Sequence, residues 1–147
     1  MTSDQRELHE TVEERLRRVG QRYTASRRAL VEALSAANGP VSIGDLLEGR
    51  GAIPQSSAYR NLTVLEHADV VRRVIAEGDF ARFELDEGLT EHHHHLVCSN
   101  CGRIEDVAIP PDVERSLGRS LDRLARGAGF ASVGHRLDLI GRCRSCA

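Results

Sequence analysis

A chain of 147 residues with 40% hydrophobic content suits one ordinary domain or two small ones, and 3% aromatics with no tryptophan makes the core aliphatic. A formal net charge of −2 and a pI near 6.4 exclude a uniformly basic coat, so any surface for nucleic acid must be local. No apolar run is long enough to cross a membrane.

Thr2 with Gln5 reads as a capping box, and Leu8, Val12, Leu16 and Val19 recur at helical spacing until Gly20 offers a C-cap. A local basic surface follows, with Arg17, Arg18, Arg22, Arg27 and Arg28 uninterrupted by any acid. Thr24 caps a second helix bearing Leu30, Val31 and Leu34, which Asn38-Gly39-Pro40 ends. Ser42 with Asp45 starts a short third helix carrying Ile43, Leu46 and Leu47, stopped by Gly49 and Gly51. Ile53 to Ser56 reads as a turn with a capping serine, leading into a helix over 57–67. Ala58, Leu62 and Leu65 share one face of it, while Ser57, Tyr59, Arg60 and Thr63 fall largely elsewhere. Strands are expected at Val70–Ile75 and Phe80–Leu85, around a Glu77-Gly78-Asp79 turn. Short helices, a helix with a polar first turn and a hairpin describe a winged helix-turn-helix, which enters the DNA major groove. The competing reading is a packing module without a DNA role, and the arginine cluster favours DNA.

Residues 86–91 lack periodicity and contain Gly88, so they read as a hinge linker between a domain at 1–85 and another at 92–147. The second domain opens on His92-His93-His94-His95-Leu96-Val97-Cys98. If this run is extended, His93 and His95 share one face and His92 and His94 the other, so one strand could serve two metal sites. The alternative is a solvated, merely His-rich linker. Cys98-x-x-Cys101 has a second copy in Cys143-x-x-Cys146, and these are the chain's four cysteines. Two such pairs supply the thiolates of a closed structural zinc site, whereas they make a poor disulfide framework. With no signal peptide in view, thiol-only chemistry suits a reducing cytoplasm. Between the pairs, residues 103–109 resemble a strand, and Pro110-Pro111 opens a helix with Val113, Leu117, Leu121 and Leu124 on one face. Val133, His135, Leu137 and Leu139 alternate as a last strand. His135 then sits with apolar residues, either as a satisfied core histidine or as part of a metal site with the histidine run.

The ordered combination of Ser57-Ala58-Tyr59-Arg60, a His-x-His run just before Cys-x-x-Cys, and a terminal Cys-x-x-Cys resembles the ferric uptake regulator (Fur) family of bacterial metal-sensing transcription factors. The resemblance covers nearly the whole chain. It implies an α+β fold, with an N-terminal winged helix-turn-helix DNA-binding domain and a small α/β dimerisation domain carrying a four-cysteine zinc site. It also implies a homodimer that binds a double-stranded, palindromic operator when metal-loaded, typically as a repressor, and no enzymatic activity. By position, Cys98, Cys101, Cys143 and Cys146 match the structural zinc ligands. Glu84, His93 and His95 match a regulatory site at the hinge, and His92, His94, Glu114 and His135 match an additional site in the dimerisation domain. Gln55, Ser57, Tyr59 and Arg60 match the DNA-facing helix, while Arg22 and Arg27 match basic positions able to reach backbone or minor groove.

Two departures bear on the metal. Pro40 stands where many members place a histidine ligand, and no cysteine is left for the regulatory site. Oxygen and nitrogen donors suit iron(II) or manganese(II) and do not exclude zinc. A further ligand is expected from Asp86, Glu87, another acid or water. The peroxide-sensing subgroup uses an acid near the turn at Pro110-Pro111, so oxidative-stress sensing is the alternative within the family. Outside it, a zinc hydrolase finds no H-E-x-x-H, nucleophile motif or phosphate loop here, and a zinc-clamped adaptor would ignore DNA.

Overall fold

In the computed structural model, which describes residues 1–48, 53–75, 81–131 and 133–147, Thr2 starts α1 (Ser3–Arg18) with both halves of a capping box. Gly20, at φ +71°, ends it in the left-handed region where a glycine costs least, as Gln21 N–H returns to the Leu16 carbonyl at 2.9 Å. Thr24 caps α2 (Ala25–Ala36) by accepting from Arg27 N–H, and Ser42 caps α3 (Ile43–Leu47) by accepting from Asp45 N–H. The expected stop at Gly49 and Gly51 and the Glu77-Gly78-Asp79 turn lie outside the described residues. Helix α4 (Gln55–His67) begins earlier than the sequence suggests. Pro54 takes the N-cap position and no side chain caps the helix, so Ser56 is inside its first turn. A proline there needs no side-chain cap to set the entry, because its φ is already helix-compatible.

The described residues divide into two units, Met1–Glu91 and His92–Ala147. In the first, β1 (Val41–Ser42), β2 (Val71–Ile75) and β3 (Ala81–Leu85) form an antiparallel sheet in the order β1-β3-β2. The two-residue β1 has too little periodicity to be read from sequence. Leu16 of α1, Leu30 of α2, Ala58, Leu62 and Leu65 of α4 and Phe83 of β3 are at most 1% exposed and fill one aliphatic core around a single aromatic ring. Truncating a side chain such as Leu62 to alanine in such a core costs about 2–5 kcal/mol.

The residues expected as a hinge linker carry a 3-10 turn. Asp86 caps a 3-10 turn over Glu87–Leu89 by accepting from Gly88 N–H at 2.9 Å, and Leu89 packs against the first unit's core. Arg15 of α1 donates to Asp86 Oδ1 at 3.1 Å and to the carbonyl of Asp69, so the turn is tied to the helical core.

In the second unit, β4 (His94–Cys98) is central, antiparallel to β5 (Ile104–Val107) and parallel to β6 (Asp138–Gly141). The parallel pair needs a crossover, which contains α5 (Pro111–Gly127), opened by Pro110 and Pro111 as expected. The last strand sits later than the alternation of Val133 to Leu139 predicts. Residues 133–137 are not strand, and pairing with β4 begins only at Asp138. No residue of α5 is buried, and Val113 (48%), Leu124 (73%), Phe130 (66%) and Ile140 (65%) remain exposed on this chain.

Candidate metal centres and nucleic-acid interface

Two-residue periodicity along the histidine run sorts its imidazoles to opposite sides. On one side His92 Nε2 lies 2.9 Å from Glu114 Oε1 and His94 Nε2 lies 2.8 Å from Glu114 Oε2. His135 Nε2 approaches Glu114 Oε1 at 2.6 Å without hydrogen-bonding geometry, and is a buried nitrogen with no such bond. The ligand atoms of these four residues lie within 4.8 Å of one another. Three imidazoles converging on one carboxylate, with an unsatisfied ring nitrogen among them, fit a divalent ion of the borderline class. His135, off any strand, reaches the cluster from the loop before β6. The hydrogen bond from His94 holds the Glu114 carboxyl below its ordinary value, against the opposing effect of desolvation.

On the other side, His93, His95 and Asp106 bring their ligand atoms within 4.8 Å of one another. Asp106 Oδ1 lies 3.7 Å from Nε2 of both His93 and His95. Asp138 Oδ1 lies 3.1 Å from His95 Nδ1, which orients the ring and directs Nε2 toward Asp106. Neither aspartate was among the residues singled out by sequence. Asp106 is the acid across from His95 in the β4–β5 register, a pairing invisible before the strands are aligned. It also supplies an acid just ahead of the Pro110-Pro111 turn.

Cys98, Cys101, Cys143 and Cys146 bring all four sulfurs within 4.8 Å, with Cys101 Sγ 3.7 Å from Cys143 Sγ. Backbone N–H groups of Cys101, Cys143 and Asn100 lower the Cys98 thiol to about 5, so it is a thiolate at neutral pH. Cys146 is raised to about 11: a bond from Asn100 favours its thiolate, but the neighbouring Cys143 and Cys101 sulfurs and desolvation outweigh it. Four sulfurs that cannot all ionise together without a cation fit structural zinc.

Glu84 belongs to the first unit. It is buried in β3 and bonds Arg72 Nε through Oε1 at 2.5 Å. Asp86 is committed to Arg15 and to capping, which leaves it a poor candidate for the further ligand. Pro40 is buried, and a proline side chain offers no donor atom.

Helix α4 presents its polar side to solvent. Tyr59 is 46% exposed, Gln55 and Arg60 are exposed, and Ser57 is partly so. Arg22 is exposed before α2. Arg27 is engaged: its Nε donates to Asn61 Oδ1 at 3.1 Å and its Nη1 to the Arg22 carbonyl at 2.6 Å. It therefore positions α4 and the Arg22 loop, leaving Nη2 for any outside contact. Arg17 and Arg18 pair with Glu14, and Arg28 with Glu32, so much of the arginine cluster is locally neutralised.

No helix among the described residues is long and apolar enough to cross a membrane. Comparison with known proteins agrees with this architecture. The Legionella pneumophila ferric uptake regulation protein is 37% identical over 101 residues, 69% of each chain. The Bacillus subtilis peroxide operon regulator is 30% identical over 145 residues, covering 96% of this chain and 94% of its own. A solved structure of the ferric uptake regulator from Pseudomonas aeruginosa with manganese matches at TM-score 0.69 and 27% identity, over 88% of this chain and 95% of that one. The model of the ferric uptake regulator family matches residues 18–140, and the chain belongs to that family.

Proposed function

We propose that a divalent ion held by Glu84, His93, His95 and Asp106 couples metal availability to operator binding in this metal-dependent transcription regulator. In this reading residues 1–85 form the DNA-reading domain, 86–91 the hinge and 92–147 the dimerisation domain. The observation that carries it is the sorting of adjacent histidines into two carboxylate-containing clusters beside a separate thiol clamp. The thiol clamp already serves the scaffold, which leaves reversible occupancy as the use of the hinge cluster. Such an ion links ligands on both sides of the hinge and stabilises one interdomain angle over others. In a two-fold dimer that angle sets the separation of two reading heads, which a palindromic operator matches with half-sites about one helical turn apart or a multiple of it. The exposed apolar face of α5 and β6 supports the dimer, because a small unit with no buried helix residue gains its core by pairing.

Nitrogen and oxygen donors favour iron(II) or manganese(II) at the hinge, with zinc admissible. The thiol clamp takes structural zinc. The decisive experiment titrates operator duplex with tag-free protein carrying only clamp zinc, with and without each of iron(II), manganese(II) and zinc, at several salt concentrations. Metal-stimulated, salt-dependent binding is expected. Binding that no metal changes would overturn the metal-coupled reading, and no operator binding under any metal would favour an adaptor.

Peroxide sensing is the second reading, supported by Asp106 and by a peroxide operon regulator that matches 96% of the chain. Iron-loaded protein exposed to peroxide should then lose operator binding, while manganese-loaded protein keeps it.

A further inference from the structure

We infer that Arg72 sets the affinity of the hinge site by occupying Glu84 until a cation competes for it, an inference that rests on the reading of Glu84 as a ligand. The β2–β3 register places Arg72 directly opposite Glu84. Their side chains are 10% and 7% exposed, and Arg72 Nε meets Glu84 Oε1 at 2.5 Å. The same guanidinium reaches Glu87 Oε1 at 3.4 Å through Nη1. Arg72 therefore stands between the ligand carboxylate and an acid of the 3-10 turn.

Two consequences follow from burial. Arg72 fixes the orientation of the Glu84 carboxylate, so the hinge ligand is placed without metal. The second effect opposes the first. A guanidinium does not deprotonate in a protein, so its positive charge stays beside any cation that Glu84 binds. Charge repulsion at low effective dielectric weakens that cation, and Glu87 offsets part of the repulsion. Arg72 is thus a positioning residue whose charge holds the site in a range that metal can enter and leave.

A merely structural arginine predicts weaker metal binding whenever it is replaced. The charge argument predicts the opposite sign for one variant. Manganese(II) titrations followed by the spin-resonance signal of the free ion, on zinc-clamped dimer, should show Arg72→Gln binding about tenfold more tightly than wild type. Arg72→Lys, which keeps the charge, should stay within about threefold of wild type. Glu87→Gln should weaken binding severalfold, and it decides the matter should Arg72→Gln fail to fold. The hinge component is isolated by subtracting the isotherm of a His93→Ala/His95→Ala double variant. If that double variant binds manganese like wild type, the ligand reading and this inference fall together. If it loses the ion while Arg72→Gln binds equally or more weakly, or Glu87→Gln binds equally or more tightly, the ligand reading stands and the role of Arg72 is overturned.

Discussion

His94 and His95 are sequence neighbours, both buried, yet His94 Nε2 meets Glu114 at 2.8 Å while His95 Nδ1 meets Asp138 at 3.1 Å on the opposite side of β4. A single peptide unit separates two clusters of potential ligand atoms. Replacing His93 and His95 by alanine should abolish metal-stimulated operator binding while leaving clamp zinc and the dimer intact. Replacing His92 and His94 should cost stability and metal content first, with a milder loss of the DNA response. If metal tightens operator binding about a hundredfold, the coupling is on the order of 3 kcal/mol, and operator must tighten metal binding equally. Operator titrations beside bound-metal counts check this. A His93/His95 variant that responds like wild type would sink the hinge mechanism.

The clamp behaves differently, because its four sulfurs join the two ends of the second unit. Cys98→Ser or Cys143→Ser should lose zinc, second-unit fold and dimer together, since the binding free energy of structural zinc is also folding free energy. Metal analysis with sedimentation reads this outcome. A folded dimer without clamp zinc would contradict it.

On the DNA-facing side, three substitutions should differ in kind. Tyr59→Ala should relax preference at particular base pairs if this exposed aromatic of α4 meets base edges such as a thymine methyl. Arg22→Ala should weaken all duplexes alike and reduce the salt slope by about one unit for a lost phosphate contact. Arg27→Ala should additionally lower thermal stability, because it breaks the bond to Asn61 at 3.1 Å. Binding measured across operator variants and salt would refute the scheme if all three shifts were equal and insensitive to salt.

His9 carries a pH dependence of the first unit. It is buried, with Nδ1 2.7 Å from the Tyr23 hydroxyl and Nε2 3.5 Å from Glu32, while the Arg28 guanidinium lies over the Tyr23 ring. Burial and then Arg28 lower its pKa below 6.5, with Glu32 opposing. The unfolded chain therefore takes up the proton first. The penalty is absent above the unfolded value, grows as pH falls through it, and levels off below the folded value. In urea titrations between about pH 7 and pH 5, wild type should lose stability relative to His9→Phe. Parallel slopes would show that His9 does not contribute.

Local order was legible because it is written in near neighbours. Thr2, Thr24 and Ser42 cap the helices they precede, Gly20 ends α1, and alternation along the histidine run separates His93 and His95 from His92 and His94. Paired Cys-x-x-Cys spacing likewise declared the clamp. Other features depended on which strand lies beside which. Asp106 faces His95 through the β4–β5 register, Asp138 orients it through β6, and Arg72 meets Glu84 across β2 and β3. The same limit explains the misplaced last strand: residues 133–137 alternate well, but a strand exists only where a neighbour shares its hydrogen bonds, and the ladder with β4 starts only at the Leu137 carbonyl, which accepts from His95 N–H. Caps and periodicities are satisfied by a few consecutive residues. Ligand sets and ion pairs need side chains from distant segments at contact distance, and that proximity is a product of long-range packing rather than of spacing along the chain.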